Sequence, residues 1–298
     1  MPTPVKDLLD PAHLSQIANM QLLARTAVEG FLSGMHRSVF HGFGTEFLQY
    51  RNYSPGEDLK YLDCKVLARS DRIYSMVYQV ETNMNGTLLL DCSGSMDYRG
   101  DRAPCTKFHY GAMIAACIAY LAGRQGDNVG LFAYSDELLE AVEPGHRSGQ
   151  LSRVMHALSR LKPHGAAAHQ RTLDNLTHPF KHRGIVVLIS DMLEAEDELP
   201  PLLRNFRYRH CDVIALQVLD PDELDLPQPQ VTRFKDIEAG REVIAWPESV
   251  RHDYTQRMNQ FLDALRTGFF KNQVDYLQLQ TTDSLGLALA QYLHHRTL

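Results

Sequence analysis

The run Asp91-Cys92-Ser93-Gly94-Ser95-Met96 sets one carboxylate and two hydroxyls at alternate positions of a short loop. Oxygen donors of this kind suit a hard divalent cation, and Mg²⁺ in particular keeps several exchangeable waters in a near-octahedral shell. With few anionic ligands such an ion stays electrophilic, so a carboxylate from another protein can take a water's place. The pattern points to metal-dependent binding of a partner rather than to catalysis. Met96 and Asp97, next along the chain, are the residues a partner would touch.

A loop can do this only if something holds it. Three apolar runs end in aspartate: Leu88 to Leu90 before Asp91, Val187 to Ser190 before Asp191, and Leu216 to Leu219 before Asp220. Short, uniformly apolar strands separated by helical patterns predict a mostly parallel sheet covered on both faces, an α/β, Rossmann-like architecture. In such sheets ligands sit beyond the carboxyl ends of the strands, which would bring the three acids to one crevice. Asp191 is the second acid assigned to the cation. Asp220 lies in the turn DPDELDLP and reads instead as a helix cap or turn former.

The flanking elements follow from the same periodicities. NVGLFAYSDELLEAVE reads as a hairpin that adds an antiparallel edge strand, and VTRFKDIEAGREVIAW as a second hairpin turning at Ala239-Gly240. A long helix is expected from Pro247 to Phe270, and one amphipathic helix from Asp10-Pro11 to Gly34. The expected division is residues 1–83, a helix and a small β-rich α+β subdomain packed on the main sheet, and residues 84–298, the main α/β domain. The acids from Glu194 to Glu198 suit a helix start. His164 and His169, five apart in an alanine-rich loop, read as solvated.

Composition removes several functions. A net charge of −6 gives no general attraction to nucleic acid or anionic lipid. Five cysteines, Cys64, Cys92, Cys105, Cys117 and Cys211, never spaced as CxxC, suggest neither a disulfide framework nor a zinc ribbon, and fit a reducing, cytoplasmic setting. The longest apolar stretch, Ala112 to Ala122, is too short to span a bilayer.

DCSGSM after an apolar strand resembles the metal-ion-dependent adhesion site (MIDAS) of von Willebrand factor A domains, with LISD at Asp191 similar to its later acidic member. The segment RNYSPGEDLKYLDCKVLARSDRIYSMVYQVETN, together with LDPDELDLP, FKDIEAG and TTDSLGLALAQYLHHR, resembles the bacterial family called Domain of Unknown Function 58, from about Gly34 to Leu298. The resemblance implies a von Willebrand factor A-like fold, a site of Asp91, Ser93, Ser95 and Asp191 for Mg²⁺ or a similar cation, and a MoxR-type AAA+ ATPase as partner in assembling or remodelling protein complexes. The likeness is to the family's shorter, soluble members. One departure stands out. Such sites usually add a threonine from a later loop, and here that loop reads Pro163-His164-Gly165-Ala166-Ala167-Ala168-His169. Thr172 is the nearest hydroxyl, though its place before Leu173 and Leu176 also suits a helix start.

Two rival functions remain open. A metal-dependent hydrolase or phosphotransferase built on Asp91 would need a second acid where Ser93 stands, and a Ser93 nucleophile would need a neighbouring base. A purely structural scaffold without metal would use the Asp91 loop only as a capped turn. In that case the N-terminal subdomain would be the interaction surface, with Arg51, Tyr53, Asp58 and Asp63 read as a polar network that docks it on the sheet or, alternatively, as a partner surface.

Overall fold

The computed structural model describes residues 9–35, 47–52, 74–78, 84–145, 148–177, 183–193, 195–226, 232–235, 242–245 and 247–296. The chain divides into two units, residues 1–34 with 84–298, and residues 35–83. The opening helical segment therefore belongs with the sheet, whereas the sequence grouped it with the β-rich segment that follows.

That segment is also not one helix. Asp10 caps α1 (Pro11–Leu14) by accepting from the Ala12 amide at 2.8 Å, and the chain then breaks before α2 (Met20–Met35). Asn19 causes the restart, because its Oδ1 accepts from the Leu22 amide at 3.0 Å. Asparagine favours such caps over helix interiors.

In the second unit, β1 (Phe47–Asn52) pairs antiparallel with β2 (Tyr74–Tyr78), from Phe47 opposite Tyr78 to Asn52 opposite Tyr74. Tyr53, Asp58, Asp63 and the side chain of Arg51 lie outside the described residues.

The main sheet contains β3 (Asn85–Asp91), β4 (Asn128–Tyr134), β5 (Leu138–Gly145), β6 (Gly184–Ser190), β7 (Cys211–Leu219) and β10 (Asp275–Gln280). Its order is β10-β7-β6-β3-β4-β5, parallel throughout except for β5, the expected antiparallel edge strand. The second hairpin is also present, as β8 (Thr232–Lys235) paired with β9 (Glu242–Ala245), and its turn lies outside the described residues. The helices that cover the sheet are α3 (Lys107–Arg124), α4 (Gln150–Arg160), α5 (His169–Thr177), α6 (Leu199–Tyr208), α8 (Pro247–Lys271) and α9 (Gly286–Arg296), with a single turn α7 (Pro221–Leu224) after β7.

Alternation along each strand sends neighbouring side chains to opposite faces. On one face Leu89, Leu188, Val213 and Ala215 pack with Leu203 and Phe206 of α6 and with Leu265 and Phe269 of α8. The opposite face carries α3, whose Ala112, Ala115, Ala116 and Ala119 are all buried. Small residues let this helix ride close to the sheet: a Cβ on Gly111 would stand 3.0 Å from Ile189 Cγ2. Burial on both faces explains why β3, β6 and β7 read as continuous apolar runs. Among the described residues no helix is long and apolar enough to cross a membrane.

The tightest backbone approach is at the start of β6, where Gly184 pairs with Asn85 and a Cβ would overlap the Asn85 carbonyl oxygen. Neither strand can move without shifting the central pair of the sheet. Gly184→Ala should therefore destabilise the fold by about 1–3 kcal/mol, the usual cost of overpacking. Urea unfolding followed by circular dichroism measures the loss, and an unchanged midpoint would refute the steric account.

Candidate functional site

The carboxyl end of the sheet brings together most of the residues the sequence singled out. Asp91 is the last residue of β3, opposite Tyr134 of β4 and one step beyond the pair Leu90–Ile189. It is fully buried. Its Oδ1 accepts from the Ser93 amide at 2.8 Å, and its Oδ2 accepts from Ser190 Oγ at 2.6 Å. Ser190 Oγ in turn accepts from the Met192 amide at 3.0 Å, and Met192 turns the chain with φ 58°, a conformation unusual for a residue with a Cβ. The turn after β6 is thus pinned to the carboxylate that ends β3.

Ser93 Oγ and Ser95 Oγ lie 3.0 Å apart, at the head of a 3-10 turn, Gly94–Asp97. Asp97 is exposed on this turn. Met96 is not a surface contact: its side chain is completely buried against α3, with its Cε 3.6 Å from where a Gly111 Cβ would stand. A thioether following the two serines is drawn into the core, which leaves Asp97 as the outward member of the pair assigned to a partner.

The alanine loop does reach the serine loop. His164 N donates to Cys92 O at 2.8 Å, and Gly94 N donates to Gly165 O at 2.8 Å. Gly165 has φ 72°, and a Cβ there would come within 2.9 Å of Asp136 Oδ1, so this close seat requires glycine. Ala168 N then donates to Ser135 O at 3.1 Å and α5 begins. Thr172 is buried within α5, with its amide bonded to Ala168 O at 3.1 Å, as its helix-start reading required.

The two histidines of this stretch part company. His164 is exposed. His169, read from sequence as solvated, is only 4% exposed, because the first turn of α5 carries it inward over Tyr134. Its Nδ1 lies 3.0 Å from Tyr134 Oη, with the rings edge to face, and its Nε2 is buried without a hydrogen-bond partner.

Asp191 is answered by a residue the sequence reading passed over. Lys107, the first residue of α3, is fully buried, and its Nζ donates to Asp191 Oδ2 at 2.8 Å and to Glu223 Oε1 at 2.5 Å. Burial by itself would lower the pKa of this ammonium. Asp191 and Glu223 outweigh that and hold it above the ordinary lysine value, so the group stays charged. A clue was present in the sequence: a cation in the first turn of a helix opposes the helix dipole and needs an anionic reason to be there.

Asp220 acts as the expected cap. It begins α7 in a reciprocal box with Glu223, accepting from the Asp222 amide at 2.8 Å while Glu223 Oε2 accepts from the Asp220 amide at 2.9 Å. Its other oxygen accepts from the Gly100 amide at 2.8 Å. Asp222 accepts from the Asp101 amide at 2.7 Å and pairs with Arg102. The loop that leads into α3 is therefore tied to the end of β7. A side-chain chain runs on across the sheet, from Tyr276 Oη to Gln217 Oε1 at 2.5 Å and from Gln217 Nε2 to the Asp191 carbonyl at 2.8 Å.

The electrostatics stay lopsided. Burial pushes the Asp91 carboxyl above the usual carboxylate range; His169 pulls it back, Asp191 pushes it further up, and the bonds from Ser190 and the Ser93 amide pull it down. Asp91, Asp191, Asp220, Asp222 and Glu223 are five carboxylates linked by these contacts, against the two cations Lys107 and Arg102. Among the described residues, no three of the His, Cys, Asp and Glu side chains are grouped closely enough to hold a metal ion. Any cation here needs the serine oxygens, and these lie beside Asp91 at the more negative end of the cluster.

The chain is 28% identical over 238 residues to an uncharacterised protein of Mycobacterium tuberculosis (strain ATCC 25618 / H37Rv), covering 78% of this chain and 74% of that protein. Among solved structures it is similar to the conserved hypothetical protein BatB from Bacteroides thetaiotaomicron, at 13% identity and a TM-score of 0.47, covering 72% of this chain and 98% of that one. It is also similar to the SpRpn10 VWA domain, at 14% identity and a TM-score of 0.41, covering 70% and 95%. The family model described as Protein of unknown function DUF58 matches residues 49–261, so the chain belongs to that family.

Proposed function

We propose that this protein is a non-enzymatic, metal-dependent binding protein that holds Mg²⁺ or a similar divalent cation on Ser93 and Ser95, with Asp91 and Asp191 behind them. The observation that carries the reading is the pair of serine oxygens 3.0 Å apart beside a fully buried Asp91 that accepts hydrogen bonds from the Ser93 amide and the Ser190 hydroxyl. A cation there would offset the charge that burial makes costly, and keep an open position for a partner's carboxylate. The exposed Asp97 on the same turn would meet a basic group of that partner. A MoxR-type AAA+ ATPase, or a client that the two handle together, is the partner we propose from the family resemblance. A cytoplasmic setting belongs to the same proposal, supported by Cys92, Cys105 and Cys117, which are buried free thiols.

Geometry also favours binding over turnover. Among the described residues Ser93 Oγ meets Ser95 Oγ and His169 Nδ1 meets Tyr134 Oη, so neither of these two serine hydroxyls is paired with an imidazole base. Asp91→Ala and Ser95→Ala should lower recovery of the partner in a pull-down from native lysate, as should chelation of the wild type, with folded secondary structure retained by circular dichroism. Equal recovery of the same proteins by wild type and variants, with or without chelator, would refute the proposal. Turnover of phosphate esters that is lost in Asp91→Ala would transfer it to the enzymatic reading.

Lys107 supports a second reading, in which the ammonium is a built-in substitute for the ion and the site is structural. Thermal melts separate the two. Lys107→Met strands Asp191 and Glu223 without their cation and should cost about 3–5 kcal/mol, the usual loss on breaking a buried pair. If the site binds metal, the wild type should melt higher with millimolar Mg²⁺ or Mn²⁺ than with chelator. If Lys107 replaces the ion, only the variant should respond.

A further inference from the structure

The alanine loop removes an oxygen ligand from the site, and the same turn of chain supplies a nitrogen in its place. His169 follows Ala168 directly, at the start of α5, and is 96% buried by its 4% exposure. Its imidazole is tethered at one end only: Nδ1 is 3.0 Å from Tyr134 Oη, and Nε2 is an orphan. Buried polar atoms without a partner are uncommon in native proteins and call for an explanation. Here the location offers one. Tyr134 ends β4 directly opposite Asp91, and the loop before His169 is bonded to the serine loop through Gly165 O and Gly94 N at 2.8 Å. The imidazole is thus held by the residue that pairs with Asp91 across the sheet.

The tether has the form that metal-binding histidines use. A ligating imidazole commonly donates its second N–H to an oxygen behind it, which fixes the ring and directs a lone pair at the ion. With Nδ1–H donated to Tyr134 Oη, Nε2 carries that lone pair. Mg²⁺ and Ca²⁺ favour oxygen donors, whereas affinity for a site that includes imidazole rises from Mn²⁺ through Fe²⁺ to Co²⁺, and Zn²⁺ also takes this ligand readily.

We infer that His169 Nε2 is a direct ligand of the cation held by Ser93 and Ser95, making this a mixed nitrogen and oxygen site that prefers a first-row transition-metal ion to Mg²⁺. The inference rests on the metal-binding reading above and narrows it to a ligand and a metal class. Tyr134 is the positioning residue, and Asp91 supplies the compensating charge. Thr172 is not needed as a ligand.

Mn²⁺ is a suitable probe, because pulsed electron paramagnetic resonance detects an imidazole nitrogen bound to it. The purified full-length protein with one equivalent of Mn²⁺ should show a directly coordinated ¹⁴N, and a hundredfold excess of Mg²⁺ should not erase it. Ser93→Ala should lose the bound ion. His169→Phe, which keeps a ring against Tyr134, and His169→Ala should lose the nitrogen signal and bind at least tenfold more weakly. His164→Ala, altering the exposed histidine of the same loop, should change neither. Tyr134→Phe leaves the imidazole present and should weaken binding by about 10–100-fold, the usual effect of removing an outer partner of a ligating histidine. Serine-dependent Mn²⁺ binding with no ¹⁴N coupling, or with a coupling that survives His169→Phe, would overturn this inference and leave the oxygen-only site standing. No Mn²⁺ binding at all would overturn both.

Discussion

Placing acids at the carboxyl edge of a parallel sheet forces the protein to deal with their charge, and much of the surrounding structure can be read as the means. Asp91 and Asp191 follow strands that are buried on both faces, so neither carboxylate can be reached freely by water. Desolvating an ionised carboxylate is expensive unless it is paired and hydrogen-bonded. Asp191 receives a buried ammonium from Lys107, and the loops after β6 and β7 are closed around that contact through Glu223 and Asp220. Asp91 receives only neutral donors, the Ser93 amide and the Ser190 hydroxyl. The two acids are therefore treated differently by one scaffold, and the unanswered one sits beside the serines.

This asymmetry explains how α3 can begin with a lysine. Helix N-termini favour anions, and a fully buried lysine is rare. Here the adverse dipole and the burial are both offset by two carboxylates at salt-bridge distance, while Thr106 caps the helix by accepting from the His109 amide at 3.1 Å. The remainder of α3 is alanine-rich because it must lie flat on the sheet, which in turn fixes where Lys107 Nζ can reach. Packing and charge placement are one problem in this element.

Much of the fold was legible because parallel strands covered on both faces leave an uninterrupted apolar signature, as in Leu88 to Leu90 and Val187 to Ile189. The hairpin edge strand and the Asp220 cap were legible for the same kind of local reason. What was not legible depends on distance in sequence. The break at Asn19 has a local signal, a cap residue, but it sits among residues equally at home in a helix. Met96 resembles any residue of a surface loop until Gly111, fifteen positions away, is seen to open a space for it. Lys107 and Glu223 are partners across more than a hundred residues, and no periodicity reports such a pair.

His169 shows how a short segment can change chemical meaning without changing its letters. In an extended loop, the stretch from His164 to His169 would offer two solvated imidazoles. The structure instead seats Gly165 against Gly94 and closes the first turn of α5 against Ser135, and this rotates the second histidine inward while the first stays out. The glycine conformation is what makes the difference, since a side chain at Gly165 would strike Asp136 and lift the loop off the serines. Ala166 is exposed and Ala167 and Ala168 are half-buried, so burial in this stretch begins at His169.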